Sequence, residues 1–285
     1  MMGQTLRHGF ATLRLEVLQS YAFLARNWHL TRRYWGWEVV WFFYSLTTAL
    51  SVIFIAQGAE ALTGTAPGFD VQYLTMYLII GTLVWHYLSN IFMLTSEVIA
   101  WERWEGTIEY TLMAPVKRWV HLVGQTAYSL IYSLLTALII GGTTALFFQL
   151  DLSRANLAGA ALVILAGSLS LISIGIVASI LPLLYPERGA QMTSVVQASF
   201  LLISGVYYPI TVLPEWMQSI ARFSPVTYVL DGVRAAVLDG KPVSELMAFI
   251  VPLLVLGVVL LPVGIRAFKM AEDYAKRSGK LKRVG

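Results

Sequence analysis

Three glutamates, Glu102, Glu105 and Glu109, recur at steps of three and four residues with Gly106 and Thr107 between them. On one uninterrupted helix the three carboxylates share a face and repel each other. Two arrangements relieve that conflict. Gly106 suits a helix stop and Thr107 the N-cap of a second short helix, with Glu109 in a first turn that favours negative charge. Otherwise a cationic partner neutralises the acidic face. A solvated acidic turn is the reading without a function. Other reactive side chains are scarce. There is no cysteine, so disulfides, thiolate metal sites and cysteine nucleophiles are excluded together. His8 and His29 belong to the N-terminal segment, and His121 sits where an apolar run begins. His86, between Trp85 and Tyr87, is the one histidine that could face a passage through a membrane, or else pack and hydrogen-bond between helices. No His-Glu-x-x-His pattern, carboxylate dyad or nucleophile motif supports metal or hydrolytic chemistry. Only two Gly-Lys pairs occur, Gly240-Lys241 before Pro242 and Gly279-Lys280 before Leu281. Neither has the Ser or Thr that a phosphate-cradling loop requires.

The elements that hold these residues follow from composition. Hydrophobic residues make up 57% of the 285 and charged residues 13%, about half the charge of an ordinary soluble domain. Six runs contain no Asp, Glu, Lys or Arg: 39–59, 71–96, 119–150, 155–186, 189–214 and 246–265. Each has the roughly 20 residues that a helix needs to cross hydrocarbon, and none is long enough for two crossings. Backbone groups in lipid must be paired within their own segment, and the alternating 10-residue pattern of a barrel is absent. The sequence therefore predicts an all-α integral membrane protein with six transmembrane helices at about 39–57, 72–94, 119–149, 157–181, 191–213 and 246–265. They are preceded by a segment at 1–38 and followed by a basic tail at 266–285.

With six crossings, both termini lie on the same side as the 2–3 and 4–5 loops. That side carries 16 of the 20 basic residues, which makes it cytoplasmic by the positive-inside rule. Seven of them lie in the tail, where a lipid-facing anchor explains them better than nucleic acid does. Thr31 to Tyr34 resemble a twin-arginine signal, but five further runs follow and the first is read as a retained helix. Leu6, Phe10, Leu13, Val17, Tyr21, Leu24 and Trp28 form one helical stripe with Arg7 and Arg14 off it. This predicts an amphipathic N-terminal helix lying at the cytoplasmic interface, or a soluble helix packed on a partner protein. Trp35, Trp37 and Trp41 then mark the entry of the first span.

The outer connector 209–245 is too long to be structureless. Pro214 opens a short helix with Trp216, Ile220 and Phe223. Ser224 and Pro225 open another striped by Val226, Val229, Val233 and Val237, with Asp231 and Arg234 placed to pair. Such a pair of helices either re-enters the membrane between spans five and six or rests on the outer leaflet. The small-residue pairs Ala166/Ser170, Gly175/Ser179 and Gly141/Ala145 permit close helix contact, within one subunit or between two.

Glu105, Gly106, Thr107, Ile108 and Glu109, followed by Leu112 and Pro115, resemble the coupling segment of permease subunits in the type-2 ABC exporter family. Gly205 to Pro209, Leu213, Pro214, Ser224, Pro225, Thr227, Tyr228, Asp231, Gly232 and Arg234 resemble the external end of that family's fifth helix and the connector behind it. The resemblance implies a half-transporter in the cytoplasmic membrane of a prokaryote, paired with a second permease subunit as a homodimer or heterodimer and with two cytoplasmic ABC ATPases. ATP and Mg would sit on the ATPases, with no cofactor on this chain. Glu102, Glu105, Gly106, Thr107 and Glu109 would lie at the ATPase contact. Tyr207, Tyr208, Pro209 and Pro214 would form the outer gate, with His86 a candidate for lining the path. The cargo it implies is a drug, antibiotic or lipid; polysaccharide or lipid-linked glycan is the alternative. An ATP-independent carrier or intramembrane enzyme is the competing class. The absence of acids from all six runs counts against a carrier.

Overall fold

The computed structural model describes residues 2–63, 71–148 and 152–279. Every regular element among them is a helix: α1 (Met2–Arg33), α2 (Trp35–Thr63), α3 (Val71–Ser96), α4 (Val98–Trp104), α5 (Ile108–Met113), α6 (Arg118–Phe147), α7 (Leu157–Ala178), α8 (Ile180–Leu184), α9 (Gly189–Ile203), α10 (Glu215–Ala221), α11 (Pro225–Val237) and α12 (Val243–Arg277). A short 3-10 turn, Ile210–Val212, lies between α9 and α10. Five of the described helices are long and apolar enough to cross a membrane: those at Trp35–Ile55, Gln72–Ser96, Arg118–Phe147, Leu157–Leu184 and Val243–Arg277.

The run expected to be a fifth span over 191–213 is helical only from Gly189 to Ile203, 15 residues. Lack of charge does not guarantee helix. Gly205 adopts φ +72, a conformation that ends α-helices and suits glycine, and Pro209 removes a further donor. The span expected over 246–265 instead runs on to Arg277, because Lys and Arg are good helix formers. Much of the tail expected at 266–285 is therefore the end of α12; residues 280–285 lie outside the described residues, as do 64–70 and 149–151. The expected 157–181 helix is broken at Ser179 into α7 and α8.

The core gathers where α3, α7, α11 and α12 meet, around Leu88, Ile91, Val163, Leu171, Val229, Leu230 and Leu253. Small residues set its spacing. A Cβ on Gly167 would fall 2.1 Å from Val229 Cγ2, and one on Gly257 would fall 2.7 Å from Leu169 Cγ. Ser170 and Ser173 of α7 donate to the Leu253 and Gly257 carbonyls of α12 at 2.6 and 3.0 Å. Gly175 faces Thr95 and Gly141 faces Leu83, so these small residues serve contacts within the subunit. A second cluster, including Val98, Ile99, Ile108, Leu122, Leu183 and Phe268, seats α4 and α5 beneath the bundle.

Helix α1 runs parallel to the start of α6. Glu16 pairs with Lys117 at 2.6 Å, Ser20 donates to the Val120 carbonyl at 3.2 Å, Phe23 meets the His121 ring edge-on, and Asn27 donates to Gln125 at 2.6 Å. Thr31 then bonds Tyr128, and the Tyr132 hydroxyl donates to Glu38 at the head of α2. The polar face of α1 thus meets protein, while Leu13, Val17, Tyr21 and Trp28 of the expected stripe are exposed. Leu6, Arg7, His8 and Phe10 belong to a stretch whose side chains lie outside the described residues.

Candidate functional site

The α4–α5 turn is where the acidic triplet folds. Gly106 takes φ +72 and separates the two helices, and Thr107 occupies the N-cap position of α5. The Thr107 side chain does not cap the helix: it accepts from Arg26 Nη2 at 3.1 Å and donates to the Glu102 carbonyl. Both expected ways of relieving the acidic face therefore operate together, since Arg26 of α1 also reaches Glu102 at 3.3 Å and Glu105 at 3.1 Å.

Glu102 is 2% exposed. Its Oε1 accepts from Arg26, from Thr111 at 3.2 Å and from His121 Nε2 at 3.0 Å, and its Oε2 is buried without a donor. Burial alone pushes this carboxyl up. The hydrogen bond and charge of His121 and the charge of Arg26 outweigh burial and hold it below the usual carboxylate range. His121, read from the sequence only as sitting where an apolar run begins, is itself 1% exposed and closes the back of the site. Glu105 is partly exposed, and Glu109 is exposed.

The opposite side of α4 is held by Arg103, which donates to the Pro182 and Leu183 carbonyls at the end of α8, to the latter at 2.9 Å. Beside it Glu97 accepts from Thr193 of α9 at 3.1 Å. Burial raises the Glu97 carboxyl, and the Thr193 bond partly offsets that. Arg26, Arg103 and His121 carry no local signal in the sequence, because their partners lie 76, 80 and 19 residues away. The demand of three clustered carboxylates for a cation was the one hint. Outward from this clamp stand Trp104, 70% exposed, Tyr110, 78%, and Met113, 84%.

At the other end of α9, Arg234 of α11 donates to the Gly205 and Val206 carbonyls at 2.9 and 2.7 Å and lies 3.5 Å above the Tyr77 ring. The Asp231 and Arg234 charges still interact, as expected from their spacing, but the hydrogen bonds of the guanidinium go to these carbonyls rather than to the carboxylate. Ser224, which opens α11 from the N-cap position as expected, directs its hydroxyl to Ser204 at 2.7 Å. Tyr207 packs against the core, Tyr208 donates to the Leu202 carbonyl at 2.6 Å, Pro209 leads into the 3-10 turn, and Pro214 immediately precedes α10. These four residues gather at the α9–α10 connector, far along the bundle from the acidic turn. His86 is partly buried in α3, where Asn90 Nδ2 lies 3.1 Å from its Nε2. Among the described residues no group of three His, Asp or Glu side chains could hold a metal ion.

Residues 18–238 match the model of a protein family described as ABC-2 type transporter. The chain belongs to the ABC-2 type transporter family. Its place there is that of a multi-pass membrane transport component rather than of an ATPase. The linearmycin resistance permease protein LnrN of Bacillus subtilis is 26% identical over 84 residues, which is 30% of this chain and 22% of that protein. The probable multidrug ABC transporter permease YbhR of Escherichia coli K12 is 22% identical over 191 residues, covering 67% of this ABC-2 chain and 50% of the relative. The chain thus matches half the length of the Escherichia coli relative and about a fifth of the Bacillus subtilis one.

Proposed function

We propose that this ABC-2 chain is the membrane-spanning permease subunit of an ATP-driven exporter of hydrophobic or amphipathic compounds. It crosses the cytoplasmic membrane six times with both termini inside, and works as a homodimer or heterodimer with two cytoplasmic ATPases that bind ATP and Mg. The resistance and multidrug functions in the names of its relatives support that cargo class. Helix α9, at 1.5 Å per residue about 22 Å long, supplies the sixth crossing together with the buried face of α11, which enters the outer leaflet as one arm of a re-entrant hairpin. The exposed stripe of α1 lies in the lipid headgroup layer.

One observation carries the coupling assignment. The α4–α5 turn is clamped from behind by Arg26 and Arg103, while Trp104 of α4 and Tyr110 and Met113 of α5 are each exposed. Exposed aromatic and methionine side chains on a firmly held turn are what a protein docking surface requires. Glu109 and these three side chains meet the ATPase; Glu102, Glu105, Gly106 and Thr107 hold the surface in shape. When the ATPases close, displacement of α4 passes through Arg103 to α8 and through Glu97 and Thr193 to α9. The far end of α9 bears Tyr207, Tyr208 and Pro209, and a shift there opens the way out. His86 and Asn90 offer polar contact along the path on α3.

Co-expression of this chain with candidate ABC ATPase subunits from the same organism, and purification of the pair that assembles, tests the assignment. Tyr110→Glu and Met113→Glu should each abolish co-purification, and Glu109→Lys should lower ATP turnover by about tenfold, a loss of about 1.4 kcal/mol. Intact assembly with full turnover in all three variants would reject it.

A further inference from the structure

The start of α6 is joined to the C-terminal part of α12 by an ionic contact separate from the clamp on the acidic turn. Arg118 presents its fork to Glu272, donating from Nε to Oε2 at 2.7 Å and from Nη2 to Oε1 at 2.8 Å across 154 residues of sequence. Lys276, one turn further along α12, reaches the same Oε1 at 2.7 Å. The Arg118 and Glu272 side chains are only 12% and 5% exposed, so this is not one of the screened surface pairs that contribute little. A fork-on-carboxylate pair is also directional. It fixes the angle as well as the distance between α6 and α12.

Arg118 stands beside the acidic turn's own support. It is one helical turn from His121, whose Nε2 lies 3.0 Å from Glu102 Oε1 and whose Nδ1 lies 3.5 Å from Arg118 Nη1. The first turn of α6 therefore grips α4 through His121 and α12 through Arg118. Phe268 of α12 packs into the same apolar cluster as Ile99 of α4 and Ile108 of α5. From this grip α12 runs back to Val243 as one unbroken helix, through Pro262 and Pro252. Its middle is held to α7, since Ser170 and Ser173 donate to the Leu253 and Gly257 carbonyls. Its other end is seated on α11: a Cβ on Gly232 would fall 3.1 Å from Phe249 Cβ, and Leu246 and Ile250 share the core with Val229 and Val233. Helix α12 is thus attached to the acidic turn at one end, to α7 at its middle and to α11 at the other end, with its longer arm toward the turn.

We infer that Arg118 and Glu272 are positioning residues for export, whose pair makes α12 a lever between the α4–α5 turn and α11. Displacement of the turn draws the first turn of α6 with it, and the Arg118 fork pulls the end of α12. Rotation about the α7 contact then moves α11, together with the connector that Arg234 holds. This route is separate from those through α8 and α9, and it rests on the reading of the turn as the ATPase contact.

Because the chain has no cysteine, introduced cysteines carry spin labels cleanly. Leu157→Cys with Phe223→Cys reports on the outer end, between the start of α7 and the residues just before α11; Trp101→Cys with Trp41→Cys reports on α4 against α2. All four positions are exposed. Distances are measured by double electron–electron resonance on the full-length chain assembled with its ATPase, with and without ATP and vanadate. With Arg118 and Glu272 in place, both distances should shift. Arg118→Gln, in which Lys276 still holds Glu272, should keep assembly and the shift at α4 while losing most of the shift at the outer end, and Glu272→Gln should do the same. Arg118→Lys, which keeps the charge without the fork, should regain part of it. A contact that only stabilises the fold would not separate the two shifts. Loss of both shifts together in the variants, or an unchanged outer shift in all of them, overturns the lever and leaves the ATPase contact standing. Absence of any shift at α4 with Arg118 and Glu272 in place overturns the reading of the turn, and the lever with it.

Discussion

Arg26 Nη2 lies 3.1 Å from Glu105 Oε2, joining α1 to the α4–α5 turn across 79 residues of sequence. The same guanidinium reaches Glu102, so one side chain on α1 holds both of the acids on the α4 side of Gly106. Because the Arg26 side chain is 29% exposed, solvent screens the pair, and a double-mutant cycle of Arg26→Ala and Glu105→Ala should give a coupling energy of about 1 kcal/mol at most. Arg26→Ala alone should cost more than Glu105→Ala, because it also strips a cation from buried Glu102. Thermal unfolding followed by tryptophan fluorescence checks both, and strict additivity would show that the contact carries no coupling.

Glu102 makes the same attachment sensitive to acid. Its carboxyl is held below the ordinary range in the folded chain, so its contribution is fully present above the unfolded glutamate value of about 4.3 and is lost as pH falls through the lower folded value. Hydrogen exchange across residues 16–33 should therefore stay constant from neutral pH to about pH 5, then accelerate below about pH 4 once intrinsic exchange rates are corrected. In Glu102→Gln the exchange should be faster at neutral pH and lose most of that acid-dependent step. A variant as acid-sensitive as the wild type would assign the step to other carboxylates.

How legible these features were depends on the distance over which each is specified. Long uncharged runs set α2, α3, α6 and α7, because hydrocarbon length and backbone pairing act locally. The end of α9 escaped the same logic: a run free of charge does not reveal that Gly205 adopts φ +72 or that an arginine 28 residues later takes the Val206 carbonyl. Charge also misled at α12, where Arg266 and Lys269 continue a helix rather than end it. In the acidic turn, the repulsion among Glu102, Glu105 and Glu109 pointed to a cation without naming one. Arg26 was off the apolar stripe of α1, and only its packing against α6 brings it to the turn. His121 had no signal, since a lone histidine beside an apolar run is compatible with any surface position.

Gly106 should prove a conformational requirement rather than a spacing one. Its φ of +72 costs an L-residue with a Cβ about 1 kcal/mol, and asparagine tolerates it better than alanine. Gly106→Ala should lower the melting temperature and also reduce ATPase-coupled turnover, because it turns α5, with Tyr110 and Met113, relative to α4. Gly106→Asn should recover part of both. If alanine and wild type behave alike in both assays, the turn has no role in shaping the docking surface.

Gly167 and Val229 make the tightest test of how α11 is seated. A Cβ at position 167 would fall 2.1 Å from Val229 Cγ2 and 3.4 Å from Val229 Cβ, so Gly167→Ala must push α11 away from α7 or force Val229 out of its rotamer. Overpacking of this kind costs about 1–3 kcal/mol. Val229→Ala alone leaves a cavity and should also destabilise, by about 1–2 kcal/mol for the two methyl groups lost. Combined, the two changes exchange volume across one contact, and the double variant should be more stable than the sum of the singles predicts by about 1 kcal/mol or more. The same displacement carries Arg234, five residues along α11, away from the Gly205 and Val206 carbonyls. Gly167→Ala should therefore increase protease cleavage within 204–214 more than at the α4–α5 turn, and Val229→Ala should reverse that increase in the double variant. Uniform cleavage along the chain would mean that α11 is not the element displaced.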